Sequence, residues 1–187
     1  MSKKYDSTQD TLKHIARVRQ LVDQVVQNLL DRSDEHDASK LQAPEKAAFD
    51  EFTPKLKATT YGSEEYAGFL AAMKPALKHH YENNSHHPEH WRYDECNGCF
   101  KRFPIGHLEA CDVCGYNQTT ERPDVNRMSL LDILEMLCDW KAASERHADG
   151  DLQKSIARNK GGFELSDQLT QILENTAREL NWIEIGP

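Results

Sequence analysis

His79-His80-Tyr81-Glu82-Asn83-Asn84-Ser85-His86-His87-Pro88-Glu89-His90-Trp91 carries five of the chain's nine histidines in thirteen residues. Hydrogen bonding alone does not call for such density, whereas a metal site does, because neutral imidazole is the commonest protein ligand for metals. Upstream, Glu64 to about Asn84 reads as helix, with Pro75 kinking it or splitting it in two. Its apolar line is Tyr66, Phe69, Met73, Ala76 and Leu77. Steps of three or four continue that line to His80, then Asn83 or Asn84, then His87. His80 and His87 are therefore the histidines expected to look inward, with His79, His86 and His90 as second choices.

Outward from this stretch, the rest of the chain reads mostly as helix. Leu12, Ile15, Val18, Val22, Val25, Val26 and Leu29 recur at helical spacing behind a Ser7/Asp10 pair that resembles a capping box. His14 borders the face those residues would bury. A polar segment with His36-Asp37 follows. Pro44 suits the first turn of a short helix, Glu45 to Phe52, and Thr59 to Ser63 with Gly62 reads as a turn. Met128 to His147 is expected to be helical, with Leu130, Leu131, Leu134, Leu137 and Cys138 on its apolar side. Glu135 and Asp139 share one face of it, and Glu135 alone reads as a solvated residue. Asp151 to Arg158 is a short helix ended by Asn159-Lys160-Gly161-Gly162. Leu165 to Leu180 is the last, with Leu165, Leu169, Ile172, Leu173 and Leu180 inward and Trp182, Ile183 and Ile185 folding back.

Tyr93 to about Val125 has no helical period and is rich in Cys, Gly and Pro. Its pattern is C-x2-C-x11-C-x2-C, formed by Cys96, Cys99, Cys111 and Cys114. Each C-x2-C turn brings two thiolates to one ion, and two such turns make a closed tetrahedral zinc site whose role is structural. Gly98 and Gly115 permit the tight turns. Disulfides are the rival reading, but the start MSKKYDSTQD lacks an apolar signal core, which favours metal ligation in a reducing compartment. Lys101 and Arg102 make only a thin basic patch, so a stapled loop is favoured over a nucleic-acid reader. Cys138 reads as a small buried apolar residue. The resulting architecture is an all-α bundle, residues 1–92 and 126–187, with a zinc ribbon inserted at 93–125.

Net charge is -8, which argues against broad nucleic-acid binding. No apolar run approaches the roughly 20 residues of a membrane span. A soluble cytoplasmic protein with a small-molecule substrate is the expectation.

The order His14, His36-Asp37, His80 and His87, Asp139 resembles the HD superfamily of metal-dependent phosphohydrolases. In that family a first-helix His, a His-Asp doublet and a late helical Asp bind the metal from separate helices. His36-Asp37-Ala38-Ser39-Lys40 is similar to the HD-x-x-K form of HD-GYP proteins, in which further histidines hold a second metal, and His86 to His90 resembles that addition. The GYP element itself is absent, and no acidic residue follows the doublet within one turn. The chain also resembles a small phage-associated HD-like family with an HHPE segment and an EMLCDW helix, here Glu135 to Trp140; a phage origin would put it in the host cytoplasm. The resemblance implies an HD-like fold. It implies one or two divalent ions (Mn, Fe, Co, Ni or Zn, as imidazole and carboxylate donors suit) held by His14, His36, Asp37, Asp139, His80 and His87. Water so activated would attack a nucleotide or other small phosphate ester. Asp37 would bridge ions or orient that water, while Lys40, Arg158 and Lys160 would contact phosphate and Asn83 or Asn84 would orient substrate. HD-like folds also host di-iron oxygenases, and a non-catalytic module gripping a host protein through the ribbon is the remaining alternative.

Overall fold

A computed structural model describes residues 5–60, 63–107, 109–146 and 150–184. Gly62, His147 and Ile185 lie outside the described residues. The chain divides into two compact units, Met1–His36 and Asp37–Pro187.

Among its described residues the first unit holds one helix, α1 (Thr8–Glu35). Ser7 stands at its N-cap but makes no capping bond. Asp6 accepts instead from the Thr8 amide and hydroxyl, and Asp10 accepts from the Tyr5 hydroxyl. The expected capping box is therefore not formed, because its acid is engaged by the preceding tyrosine. α1 buries none of its residues: Leu12, Ile15, Val18, Leu21, Val22, Val25, Val26 and Leu30 are 43–57% exposed. The buried face expected beside His14 does not exist within this unit, since a lone helix has nothing to bury it against.

The second unit opens with Asp37 in the left-handed region (φ 58) and a 3-10 turn, Ala38–Leu41. Asp is among the few non-glycine residues that adopt this conformation readily. α2 (Lys46–Ala58) runs past Phe52 and through Pro54, further than the sequence suggests. Proline there loses one intrahelical bond, and the helix continues on either side of it. Pro75 divides the next segment as expected into α3 (Glu64–Ala72), capped by Ser63, and α4 (Lys74–Asn83), where Pro75 sits in the first turn.

Three strands follow: β1 (Arg92–Cys96), β2 (Arg102–Phe103) and β3 (Thr119–Pro123), in the order β2-β1-β3 and antiparallel throughout. Asp94 stands opposite Phe103 on one side and Glu121 on the other. The described residues are thus mostly helical with one small sheet.

α5 (Leu130–Ser144), α6 (Leu152–Gly162) and α7 (Asp167–Glu179) form the main apolar core. Ser129 and Asp132 close a capping box at the start of α5, and Asp151 and Ser166 cap α6 and α7. Ile133, Met136, Leu137 and Trp140 give α5 a single inward stripe, which meets Leu152 and Ile156 of α6 and Leu173 and Ala177 of α7. That stripe corrects the sequence reading, since Leu130 and Cys138 are exposed. α6 runs on through Gly162 rather than stopping at Arg158. On α7, Ile172 is exposed, as is Leu180 just beyond it, while Thr170 and Ala177 take the inward places. Trp182 and Ile183 fold back on this core as expected. Ile156 is fully buried at its centre. Ile156→Ala is expected to cost about 2–5 kcal/mol, read as a lower urea midpoint; an unchanged midpoint would show that α6 does not share the cooperative core. No described helix is long and apolar enough to cross a membrane.

Candidate metal centres

Cys96 ends β1, Cys99 lies in the turn after it, and Cys111 and Cys114 stand in a second turn closed by the Gly115 amide on the Cys111 carbonyl at 2.7 Å. Gly115 has φ +72, which favours glycine. Gly98 sits in a crowded place: a Cβ there would lie 3.0 Å from Tyr116 Cβ and 3.1 Å from Cys114 Sγ, so those neighbours would have to shift. All four sulfurs lie within 4.8 Å of one another, and the pairs Cys96–Cys114 and Cys99–Cys111 are each 3.5 Å apart. A disulfide needs about 2.05 Å, so these are free thiols. Tetrahedral thiolates at 2.3 Å from one ion stand about 3.8 Å apart, close to the spacing found. The cluster can hold a metal.

The second group gathers around Asp37. Lys40 Nζ donates to Asp37 Oδ2 at 2.5 Å. Asp37 Oδ1 faces His80 Nε2 at 3.2 Å and His86 Nε2 at 3.7 Å. His80 Nε2 stands 2.9 Å from His87 Nε2. Donor atoms of Asp37, His80, His86 and His87 all lie within 4.8 Å of one another, and an Asp139 oxygen lies within the same distance of Asp37. Donors bound to one ion at about 2.1 Å stand about 3.0 Å apart at right angles and about 3.4 Å at the tetrahedral angle. The 2.9 and 3.2 Å spacings lie close to that range, and the 3.7 Å spacing to His86 is wider. Burial first, then the neighbouring His86 and His80, push the His87 imidazole down to about 3, so it is neutral and offers a lone pair at pH 7.

Four elements position these groups. α4 presents His80, buried at 1% exposure, one helical turn before its end. The loop Asn84–His87 is tied down at several points: Ser85 Oγ donates to Asp132 Oδ1 on α5, Trp91 Nε1 donates to the Ser85 carbonyl, and His90 Nδ1 meets the Tyr81 carbonyl at 2.8 Å. α5 supplies Glu135, whose Oε1 is 3.0 Å from His86 Nδ1. The turn before α2 supplies Glu45.

Of the residues singled out from sequence, Asp37, Lys40, His80, His87 and Asp139 come together. His86, a second choice, is more buried than His87. α4 ends at Asn83, so the helical phase that favours His87 does not reach that residue. Glu135 is not a solvated residue; it holds His86, and its position one turn from Asp139 was the available signal. Asn84 supports His80 by donating to its carbonyl at 2.7 Å, and Asn83 donates to the His79 carbonyl at 2.7 Å. Lys160 is engaged with Asp167 Oδ1 at 2.5 Å, and Arg158 lies exposed on α6. His14 is exposed on α1 and His36 closes that helix, so both belong to the first unit.

Comparison with curated proteins and with solved structures finds no match. One family model, described as a family of unknown function (DUF5662), covers residues 3–179, nearly the whole chain, and the chain therefore belongs to that family.

Proposed function

We propose that the Asp37 centre is that of an HD-type metal-dependent phosphohydrolase acting on a nucleotide or another small phosphate ester. The observation that carries this reading is the convergence of one carboxylate and three imidazoles, with spacings that fit one divalent ion and a lysine beside them. A divalent ion bound there supplies Lewis acidity and brings water toward neutral pKa. Water then adds across a P–O bond, its hydroxyl going to phosphorus and its proton to the leaving oxygen. Lys40 sits where it can take a phosphoryl oxygen, and Asp37 orients the attacking water. The HD resemblance of the His36-Asp37 doublet supports the same chemistry. The four-cysteine cluster is proposed as a structural zinc ribbon, which would leave the helical remainder as the HD-like domain.

Metal content of the untagged protein tests this. The wild type is expected to carry about one zinc in the cysteine cluster plus one or two further ions, and Asp37→Ala to keep only the zinc. With those ions restored, phosphate should be released from a nucleotide panel by wild type alone. A single zinc at saturating Mn, Fe, Co, Ni or Zn overturns the reading. Two irons with oxygen-dependent turnover would replace hydrolysis by oxidation.

A further inference from the structure

Glu45 has 0% exposure, yet it is a carboxylate in a turn. A buried carboxylate is tolerated only where donors satisfy it. Its Oε1 is 2.7 Å from His79 Nδ1, and its Oε2 is 3.0 Å from His80 Nδ1 and accepts from Ser39 Oγ at 3.0 Å. Asn84 Nδ2 donates to Ser39 Oγ at 2.9 Å and to the His80 carbonyl at 2.7 Å, which uses both its hydrogens. Ser39 Oγ lies 3.0 Å from Glu45 Oε2 and 3.2 Å from His80 Nδ1, and of these the charged carboxylate is the stronger acceptor for its one proton, while Asn84 has none left for His80 Nδ1, 3.1 Å away. A bare Nδ1 would set its lone pair against that of Glu45 Oε2 at 3.0 Å, so the arrangement favours His80 carrying its hydrogen on Nδ1 and giving it to Glu45.

That assignment leaves Nε2 of His80 as an acceptor, 2.9 Å from His87 Nε2 and facing Asp37 Oδ1 at 3.2 Å. Two lone pairs so close repel unless a cation lies between them. Glu135 stands in the same relation to His86, with Nδ1 at 3.0 Å and Nε2 turned to the same Asp37 oxygen at 3.7 Å. Carboxylate–histidine pairs of this kind fix the tautomer and ring plane of a metal ligand and raise its basicity.

We infer that Glu45 is a positioning residue: through Nδ1 of His80 it sets the tautomer that turns Nε2 toward a divalent cation at Asp37. This rests on the metal-centre reading above. Glu45 touches neither the ion nor a substrate. It acts through the ring, and its second oxygen steadies the neighbouring His79.

Manganese(II) is the probe, because hard Mn(II) prefers oxygen and nitrogen donors and leaves the cysteine cluster alone. Its dissociation constant is read by electron paramagnetic resonance of the free ion in wild type, Asp37→Asn, Glu45→Gln, Glu45→Asp and Ser39→Ala. Glu45→Gln is expected to weaken binding by about 10–100-fold. Glu45→Asp should recover part of that, and Ser39→Ala should weaken it several-fold with the carboxylate still in place. Long-range proton–nitrogen correlation on the metal-free protein reads the tautomer directly. His80 in wild type should be the Nδ1–H form and should shift toward Nε2–H in Glu45→Gln. An Nε2–H form of His80 in folded wild type overturns the inference even if every variant misfolds. Equal Mn(II) affinity in wild type and a folded Glu45→Gln does the same while leaving the metal centre intact. Failure of wild type to bind Mn(II) better than Asp37→Asn would instead sink the centre itself.

Discussion

Cys99→Ser with Cys114→Ser is expected to release one zinc per chain and to unfold the β1–β3 sheet. One thiolate is taken from each knuckle, so neither turn can hold the ion alone. These two sulfurs are the less buried members of the cluster, Cys96 and Cys111 being the buried ones, so substitution itself leaves little packing defect. β2 has two residues, and β1 buries only Tyr93, Asp94 and Cys96. Structural zinc in small modules contributes about 10–16 kcal/mol at neutral pH, more than such a sheet can replace. Zinc content by plasma mass spectrometry and amide exchange at Cys96, Cys111 and Gly115 give the readout. Retention of zinc and of slow exchange in the double variant would exclude the cluster as the metal holder.

His80→Ala should have the second largest effect, on both binding and stability. It removes the imidazole that faces Asp37 at 3.2 Å and His87 at 2.9 Å, so Mn(II) affinity should fall by more than the roughly 100-fold expected for loss of a supporting group. It also leaves the Glu45 carboxylate buried with only His79 and Ser39 for company. Breaking one side of a buried pair costs about 3–5 kcal/mol, so the variant should melt early. Asp37→Asn separates the two effects. Asp37 is 18% exposed and near-isosteric with Asn, so its loss should abolish Mn(II) binding while the urea midpoint stays near that of wild type. If both variants bind Mn(II) as wild type does, the ion sits elsewhere.

Much of the fold was legible because it is local. Proline at position 75 divides α3 from α4, and Ser63, Asp151 and Ser166 start their helices through bonds made within three residues. The cysteine cluster was equally legible, since a C-x2-C turn places two sulfurs together whatever surrounds it. Failures came where an element had to be extrapolated. The α4 period stops at Asn83, so it does not decide between His86 and His87. Apolar count put Cys138 and Leu130 inside, although only one stripe of α5 meets other helices. Glu45 carried no signal at all, because an acid before a helix start is ordinary until the fold closes around it.

The sequence by itself determined that this chain is mostly helical, where its helices break, that its four paired cysteines cluster, and that Asp37 and His80 are candidate ligands. Tertiary structure alone decided what surrounds them. Glu45 reaches His80 across 35 positions and Ser85 reaches Asp132 across 47. No periodicity spans such separations. Whether a carboxylate is a solvated surface group or the buried partner of an imidazole depends on which helix packs beside it, and that is fixed by burial of side chains far away along the chain.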